Sequence, residues 1–260
     1  MSLPISDIVA ALNGLPPEAL WLAMLVLCFA ATVAAARWFG AAGLTAYVVV
    51  AVLGANLQVL KPVQFSVFAD PVALGTVLFA STYLATDMLA ELYGRDAARR
   101  AVAIGFAAMV LWTLMLIVTL GFAPLTADQA GEGLAWALPV QGAMETLFTP
   151  VPALLIAGLT AYLISQYHDV WLYGLIHRLT GGRHLWLRNT GSTAVSALID
   201  TVVFSLLAWV VLAPEPLGWR PLVFTYILGT WALRLVVAAL DTPFIYLARW
   251  ALARRAPAYA

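Results

Sequence analysis

Charge is scarce in this chain. Only 10% of its 260 residues are Asp, Glu, Lys or Arg, and 13 basic and 13 acidic residues cancel to a formal net charge of zero. No basic tail or acidic block is available to hold a polyanion, so a nucleic-acid partner is not expected. Cysteine is nearly missing: Cys28 stands alone, which excludes a disulfide framework or a cysteine-built metal cluster. The phosphate-cradling motif G-x-x-x-x-G-K-[ST] does not occur, so the chain carries no ATPase motor of its own, and a separate energising partner stays open. H-E-x-x-H and G-x-S-x-G are absent as well, and Gly191-Ser192 resembles a serine nucleophile only superficially. No catalytic residue, metal or cofactor is therefore expected, and an intramembrane enzyme is the weaker class. Residues 1–17 contain no Lys or Arg, so they lack the basic start of a cleavable signal peptide.

What is abundant is apolar surface. Hydrophobic residues make up 63% of the chain, against roughly 45–50% in a soluble domain, and the mean hydropathy is +0.94. So much apolar surface cannot be hidden in one water-soluble core, and membrane lipid is its natural solvent. The composition predicts an all-α fold, a polytopic bundle in one domain. A crossing helix needs about 20 apolar residues, and such runs lie at 18–36, 41–60, 72–92, 101–122, 150–174, 190–213 and 222–248. With seven crossings, Arg37, Arg95, Arg99, Arg100, Arg178, Arg183, Arg188, Arg249, Arg254 and Arg255 fall on one side, against Lys61 and Arg220 on the other. Cytoplasmic loops collect Lys and Arg, so this bias predicts the N-terminus outside and the C-terminus inside. Trp21, Trp136 and Trp219 then fall near outer ends and Trp38, Trp186 and Trp250 near inner ends, as an aromatic belt would. The acidic connection 123–149 is the longest, and its stretch 132–146 has the makings of a short surface helix.

Six ionisable residues fall inside these runs: Asp87, Glu91, Asp169, Asp200, Arg234 and Asp241. Each costs on the order of 2.5–3.5 kcal/mol at mid-helix, so each should face a bundle interior, pair, or line a pathway. Asp87 and Glu91 are four apart and share a helix face. Glu91 also precedes Arg95 by four, the favourable order for an intrahelical ion pair. Tyr162, Gln166 and Asp169 form one polar stripe, Ser192, Ser196 and Asp200 a second, and Thr230, Arg234 and Asp241 a third. His168 points away from Asp169 and reads as interfacial. Rise along the helices brings Asp200 and Arg234 to the same depth, which predicts an ion pair between their helices. An excess of buried acid suits protons or a donor-rich solute, because a carboxylate accepts the N–H/NH₂ edge of a guanine-like ring.

Four stretches resemble a known family: TYLATDMLAELYG with ARR (82–94, 98–100), AYLISQYHDVWLY (161–173), LWLRNTGST with IDTVVF (185–193, 199–204) and LDTPFIYL (240–247). In this order they resemble the queuosine precursor transporter family, also called the vitamin uptake transporter family. The resemblance implies import of a 7-deazapurine such as preQ0 or preQ1 across a bacterial inner membrane. It implies a family core over 41–260, with 1–40 as an extra N-terminal helix. Carried over by motif position, the implied substrate-binding set includes Thr82, Asp87, Glu91, Tyr162, Gln166, Asp169, Asn189, Ser192, Asp200 and Asp241. Arg188 and Thr193 belong to the same motifs, and Arg234 joins the set as the partner of Asp200. The chain departs from the family at Arg234, where Lys is common, and at Ala197, where Gln or Asn tends to stand close before the sixth-span aspartate.

Overall fold

A computed structural model describes residues 4–67, 71–148, 152–213 and 215–253. Apart from one two-residue antiparallel ladder, β1 (Pro62–Val63) with β2 (Val72–Ala73), the described regular structure is helical. A short helix α1 (Pro4–Asn13) precedes α2 (Pro17–Gln58), α3 (Thr76–Tyr93) and α4 (Arg95–Leu120). Two short helices, α5 (Ala127–Ala130) and α6 (Val140–Phe148), lead to α7 (Pro152–Leu179) and α8 (Leu185–Leu206). After α9 (Trp219–Pro221), the chain ends in α10 (Thr230–Ala253). Two π-helical segments, Leu207–Val211 and Leu222–Gly229, continue α8 and lead into α10.

The apolar runs 18–36 and 41–60 both fall on α2, which is not one rod. Gly40 takes φ 62° and ψ −140° and breaks the helix, a conformation that costs a residue with a Cβ and suits glycine. A Cβ on Gly43 would lie 2.4 Å from the Ala35 carbonyl oxygen. Along a straight helix those residues would be about 12 Å apart, so the two arms fold back on each other. Arms 17–39 and 41–58 pack on α3 and α10, while α7 and α8 form the most extensive helix pair. Gly94, at φ 88°, ends α3 and starts α4.

The surface carries the apolar load. On α4, Ala98, Ala101, Val102 and Met109 are buried, while Ile104, Leu111, Leu114, Met115, Ile117 and Val118 point outward. That is the pattern of a helix with small residues towards its neighbours and large apolar ones towards lipid. Among the described residues four helical segments are long and apolar enough to cross a membrane: Pro17–Gln58, Arg95–Leu120, Leu185–Val211 and Trp219–Trp250. Residues 150 and 151 of the run 150–174, and Arg254 and Arg255, lie outside the described residues. The acidic connection is helical only in pieces, α5, a 3₁₀ turn (Ala135–Ala137) and α6.

Candidate functional site

The polar residues of the bundle interior stack in three layers. The first is a cavity of about 410 Å³ at the end nearest the β-ladder. Its walls come from α3 (Phe79), α7 (Gly158, Ala161), α8 (Asp200, Phe204) and the approach to α10 (Tyr226, Arg234). Trp209 lines it from one π-helical segment and Thr225 and Tyr226 from the other. Such segments shift the helix register and recur at functional sites. Trp209 packs edge-on to Phe204, with centroids 6.5 Å apart, and tilted on Tyr226 at 5.2 Å. The Trp209 indole N–H is buried and has no acceptor.

At the base of this cavity Arg234 donates to Asp200, and the guanidinium also lies over the Phe79 ring, 5.9 Å from its centroid. The expected interhelical pair is thus formed. Ser165 on α7 donates to the other Asp200 oxygen at 2.9 Å. A carboxylate has about four acceptor positions, so Asp200 keeps room for a donor arriving through the cavity. Tyr83, one turn below Phe79, is buried with its hydroxyl unpartnered, and feels Asp200, Arg234 and Asp169 at once. It stands between the first layer and the second.

The second layer lies about two turns deeper, or roughly 10–12 Å at 1.5 Å per residue. It holds Asp87 from α3, Asp169 from α7 and Asp241 from α10, all 0–1% exposed. Asp169 and Asp241 both act on Asp87 electrostatically, and the Asp87 and Asp169 carboxyls are close enough to share a proton. Among the described residues no cation meets them: both oxygens of Asp87 and of Asp169, and one of Asp241, have no hydrogen-bond partner. The other Asp241 oxygen accepts from Asn189 Nδ2 at 2.6 Å, and Asn189 also reaches Thr242 Oγ1 at 2.9 Å. Ser192 and Ser196 lie beside Asp169, but Ser192 donates to the Asn189 carbonyl and Ser196 is bonded to His168 Nδ1 at 2.9 Å. Gln166 ties α7 to α3 just above, donating to Thr82 at 2.7 Å and accepting from Thr86 at 3.2 Å.

The third layer closes the opposite end of the bundle. Arg188 grips Glu91 with its fork, Nη2 lying 2.6 Å from both carboxylate oxygens and Nε 3.1 Å from one. Tyr173 donates to the same carboxylate at 2.9 Å, and Arg249 approaches it at 3.2 Å. The turn before α8, with Gly181 and Gly182 at positive φ, aims the Gly182 carbonyl at Arg188 Nη1, 2.9 Å away. Arg188 is 1% exposed. Although it counts with the basic residues of one side, it lies in the first turn of α8, in the core. The expected Glu91–Arg95 pair is corrected. Gly94 ends the helix between them, so the four-residue spacing no longer puts them on one face, and Glu91 pairs with Arg188 and Arg249 instead.

Of the residues singled out from sequence, Asp87, Asp169, Asn189, Ser192 and Asp241 meet in the middle layer, with Thr82 and Gln166 at its edge. Asp200 and Arg234 form the cavity base and Glu91 the closure. Tyr162 stands apart: its hydroxyl donates to the Val102 carbonyl and packs against Gly105, both on α4. The sequence reading passed over Tyr83, Phe79, Phe204, Trp209 and Tyr226, because aromatic residues in an apolar run look like any other lipid-facing or core side chain. Among the described residues no group of His, Cys, Asp or Glu is arranged to hold a metal ion.

Comparison with known proteins adds two findings. The family model described as "Putative vitamin uptake transporter" matches residues 73–248. A protein named "Probable queuosine precursor transporter" from Bacillus subtilis (strain 168) is 33% identical over 230 residues, covering 88% of this chain and 93% of that protein. No solved structure matches.

Proposed function

The chain belongs to the vitamin uptake transporter family, and from that premise we propose that it imports a queuosine precursor, a 7-deazapurine such as preQ0 or preQ1, across the bacterial inner membrane. It is a multi-pass membrane transporter and not an enzyme. The reading counts seven crossings: the two arms of α2, then α3, α4, α7, α8 and α10. The N-terminus is outside, so the β-ladder and the cavity mouth face outward and the Glu91–Arg188 closure faces the cytoplasm. The exposed Trp136 and Trp219 at one end and Trp38, Trp186 and Trp250 at the other suit interfacial anchors.

The observation that carries the substrate assignment is the cavity. Its volume of about 410 Å³ falls in the small-molecule range of roughly 300–1,000 Å³. Phe79, Phe204, Trp209 and Tyr226 give it aromatic walls above one carboxylate. A flat bicyclic ring stacks on such walls while its N–H/NH₂ edge donates to Asp200. The paired Arg234 holds the Asp200 carboxylate in place. The substrate then has the middle layer below it and the Glu91–Arg188 gate beyond. Breaking that gate while the cavity mouth closes would expose the solute to the other side, as alternating access requires. Thr82 and Gln166, which hold α3 to α7, and Asn189, which holds α8 to α10, set the geometry of the path.

The test is restoration of queuosine in tRNA. The chain is expressed in a bacterial host lacking both its own importer and its own synthesis, with preQ0 or preQ1 supplied in the medium. Queuosine should return at low precursor concentration. No return despite normal membrane expression would refute the proposal.

A further inference from the structure

We propose that the middle layer is a proton-carrying site, and that solute import is driven by protons entering through it. The inference rests on the transport reading above and adds its energy source.

The three layers differ in charge balance. Asp200 has Arg234, and Glu91 has Arg188 and Arg249. Asp87, Asp169 and Asp241 are 0–1% exposed and have no cation among the described residues. Ionised carboxylates packed together away from water repel each other and lose their hydration, so such a group holds protons while it is sealed. A proton on Asp87 or Asp169 is also the bond that would join those two carboxyls.

Two further side chains support this. Asn189 is 0% exposed and spends its amide N–H on Asp241 and Thr242, yet its Oδ1 accepts nothing. Tyr83, 1% exposed, has its hydroxyl unpartnered between Asp200 and Asp169. An unfilled acceptor at the cluster and an uncommitted hydroxyl on the side of the cavity are what a site taking up and passing on protons needs. The three acids are not disposed to grip a metal ion.

Charged and titratable groups surround the layer on every element packed against it. On α3 they are Tyr83 and Glu91, the latter occupied by two arginines. On α7, Tyr173 is bonded to Glu91, and His168 reaches the cluster only through Ser196. Arg188 of α8 and Arg249 of α10 both stay on Glu91. Cys28 and Tyr47 of α2 meet α3 at Ser81. The basic residues of α4 lie past Gly94 at its first turns. Among the described residues no guanidinium or ammonium is thus committed to the layer. In the cycle, carboxylates exposed to the outer side bind protons from water as the solute enters. The loaded, neutral layer allows the gate to rearrange. Protons then leave to cytoplasmic water, restoring the carboxylates; no bond other than O–H is made or broken.

The experiment uses the purified full chain in liposomes with radiolabelled preQ0, which lacks the basic aminomethyl arm of preQ1 and so does not redistribute with pH by itself. Two assays run in parallel: exchange of labelled for unlabelled preQ0 without any gradient, and net accumulation under an inward proton gradient with a trapped pH dye. The wild type should exchange, accumulate preQ0 up to ~10-fold per proton for a tenfold gradient, and acidify the lumen only when preQ0 is present. In Asp169→Asn and Asp87→Asn accumulation and the dye signal should both fall relative to the exchange rate measured for the same variant. Exchange without proton-driven accumulation in the wild type, accumulation driven by a sodium gradient instead, or full proton coupling in both variants would overturn the inference and leave the transport reading standing. No exchange by the wild type would overturn the transport reading itself.

Discussion

Replacing Arg234 by Met, Asp200 by Asn, and both together gives a cycle that isolates the ion pair at the cavity base. The two side chains are only 7% and 11% exposed. Removing one partner of a buried pair costs about 3–5 kcal/mol, mostly for the charge left behind. Here the cavity hydrates one side of Asp200, so Arg234→Met should cost near the lower end, about 3 kcal/mol. Asp200→Asn strands Arg234 against Phe79 and should cost a similar amount. The double variant leaves no buried charge and should recover most of the loss, a coupling of about 2 kcal/mol or more. At roughly 2–4 °C per kcal/mol for a chain of this size, the single variants should unfold about 6–12 °C earlier in detergent and the double variant within a few degrees of wild type. A second readout separates pairing from binding. Added preQ0 should raise the unfolding temperature of the wild type but not of the double variant, which has lost its acceptor carboxylate. Single-variant losses that simply add in the double variant would refute the pair as an energetic unit.

Glu91→Gln should destabilise the protein by about 3 kcal/mol, because Arg188 then loses its anionic partner and keeps only neutral acceptors, the Tyr173 hydroxyl and two backbone carbonyls among them. Probes entering from the C-terminal side should label residues near Asp87 faster in this variant; unchanged labelling would argue against Glu91–Arg188 as a gate. Trp209→Ala should weaken preQ0 binding roughly tenfold or more, on the scale of about 1–3 kcal/mol for an aromatic stacking partner, with little change in unfolding temperature. Titration calorimetry on the purified protein would measure it. Gly43→Ala should cost about 1–3 kcal/mol by overpacking, since its Cβ meets the rigid backbone of Ala35. Gly94→Ala, where a Cβ meets nothing within 4 Å, should show only the smaller penalty of its positive φ. Comparing the two unfolding temperatures checks this.

The helices themselves were easy to read, because apolar runs in a lipid-dissolved chain are interrupted only where the backbone turns. The break between runs 18–36 and 41–60 lands on Gly40, and the depth match of Asp200 and Arg234 followed from helical rise alone. What could not be read were partners far apart in sequence. Arg188 lies 97 positions from Glu91, and nothing local distinguishes it from Arg178 and Arg183 just before it in sequence. The stripe Tyr162, Gln166, Asp169 is one face, yet its members meet α4, α3 and the acidic layer in turn, because a long helix crosses several neighbours. The aromatic walls were hidden for a different reason. Trp209 and Tyr226 sit on π-helical segments, where each turn holds more residues than a 3.6-residue period assumes, so periodicity assigns their faces wrongly.

An experimental structure of the protein with preQ0 bound bears most directly on these conclusions. The ring should lie in the cavity against Trp209 and Tyr226, with its N–H/NH₂ edge donating to Asp200. Ligand density elsewhere in the bundle, or a ring seated in the cavity with that edge turned away from Asp200, would contradict the account.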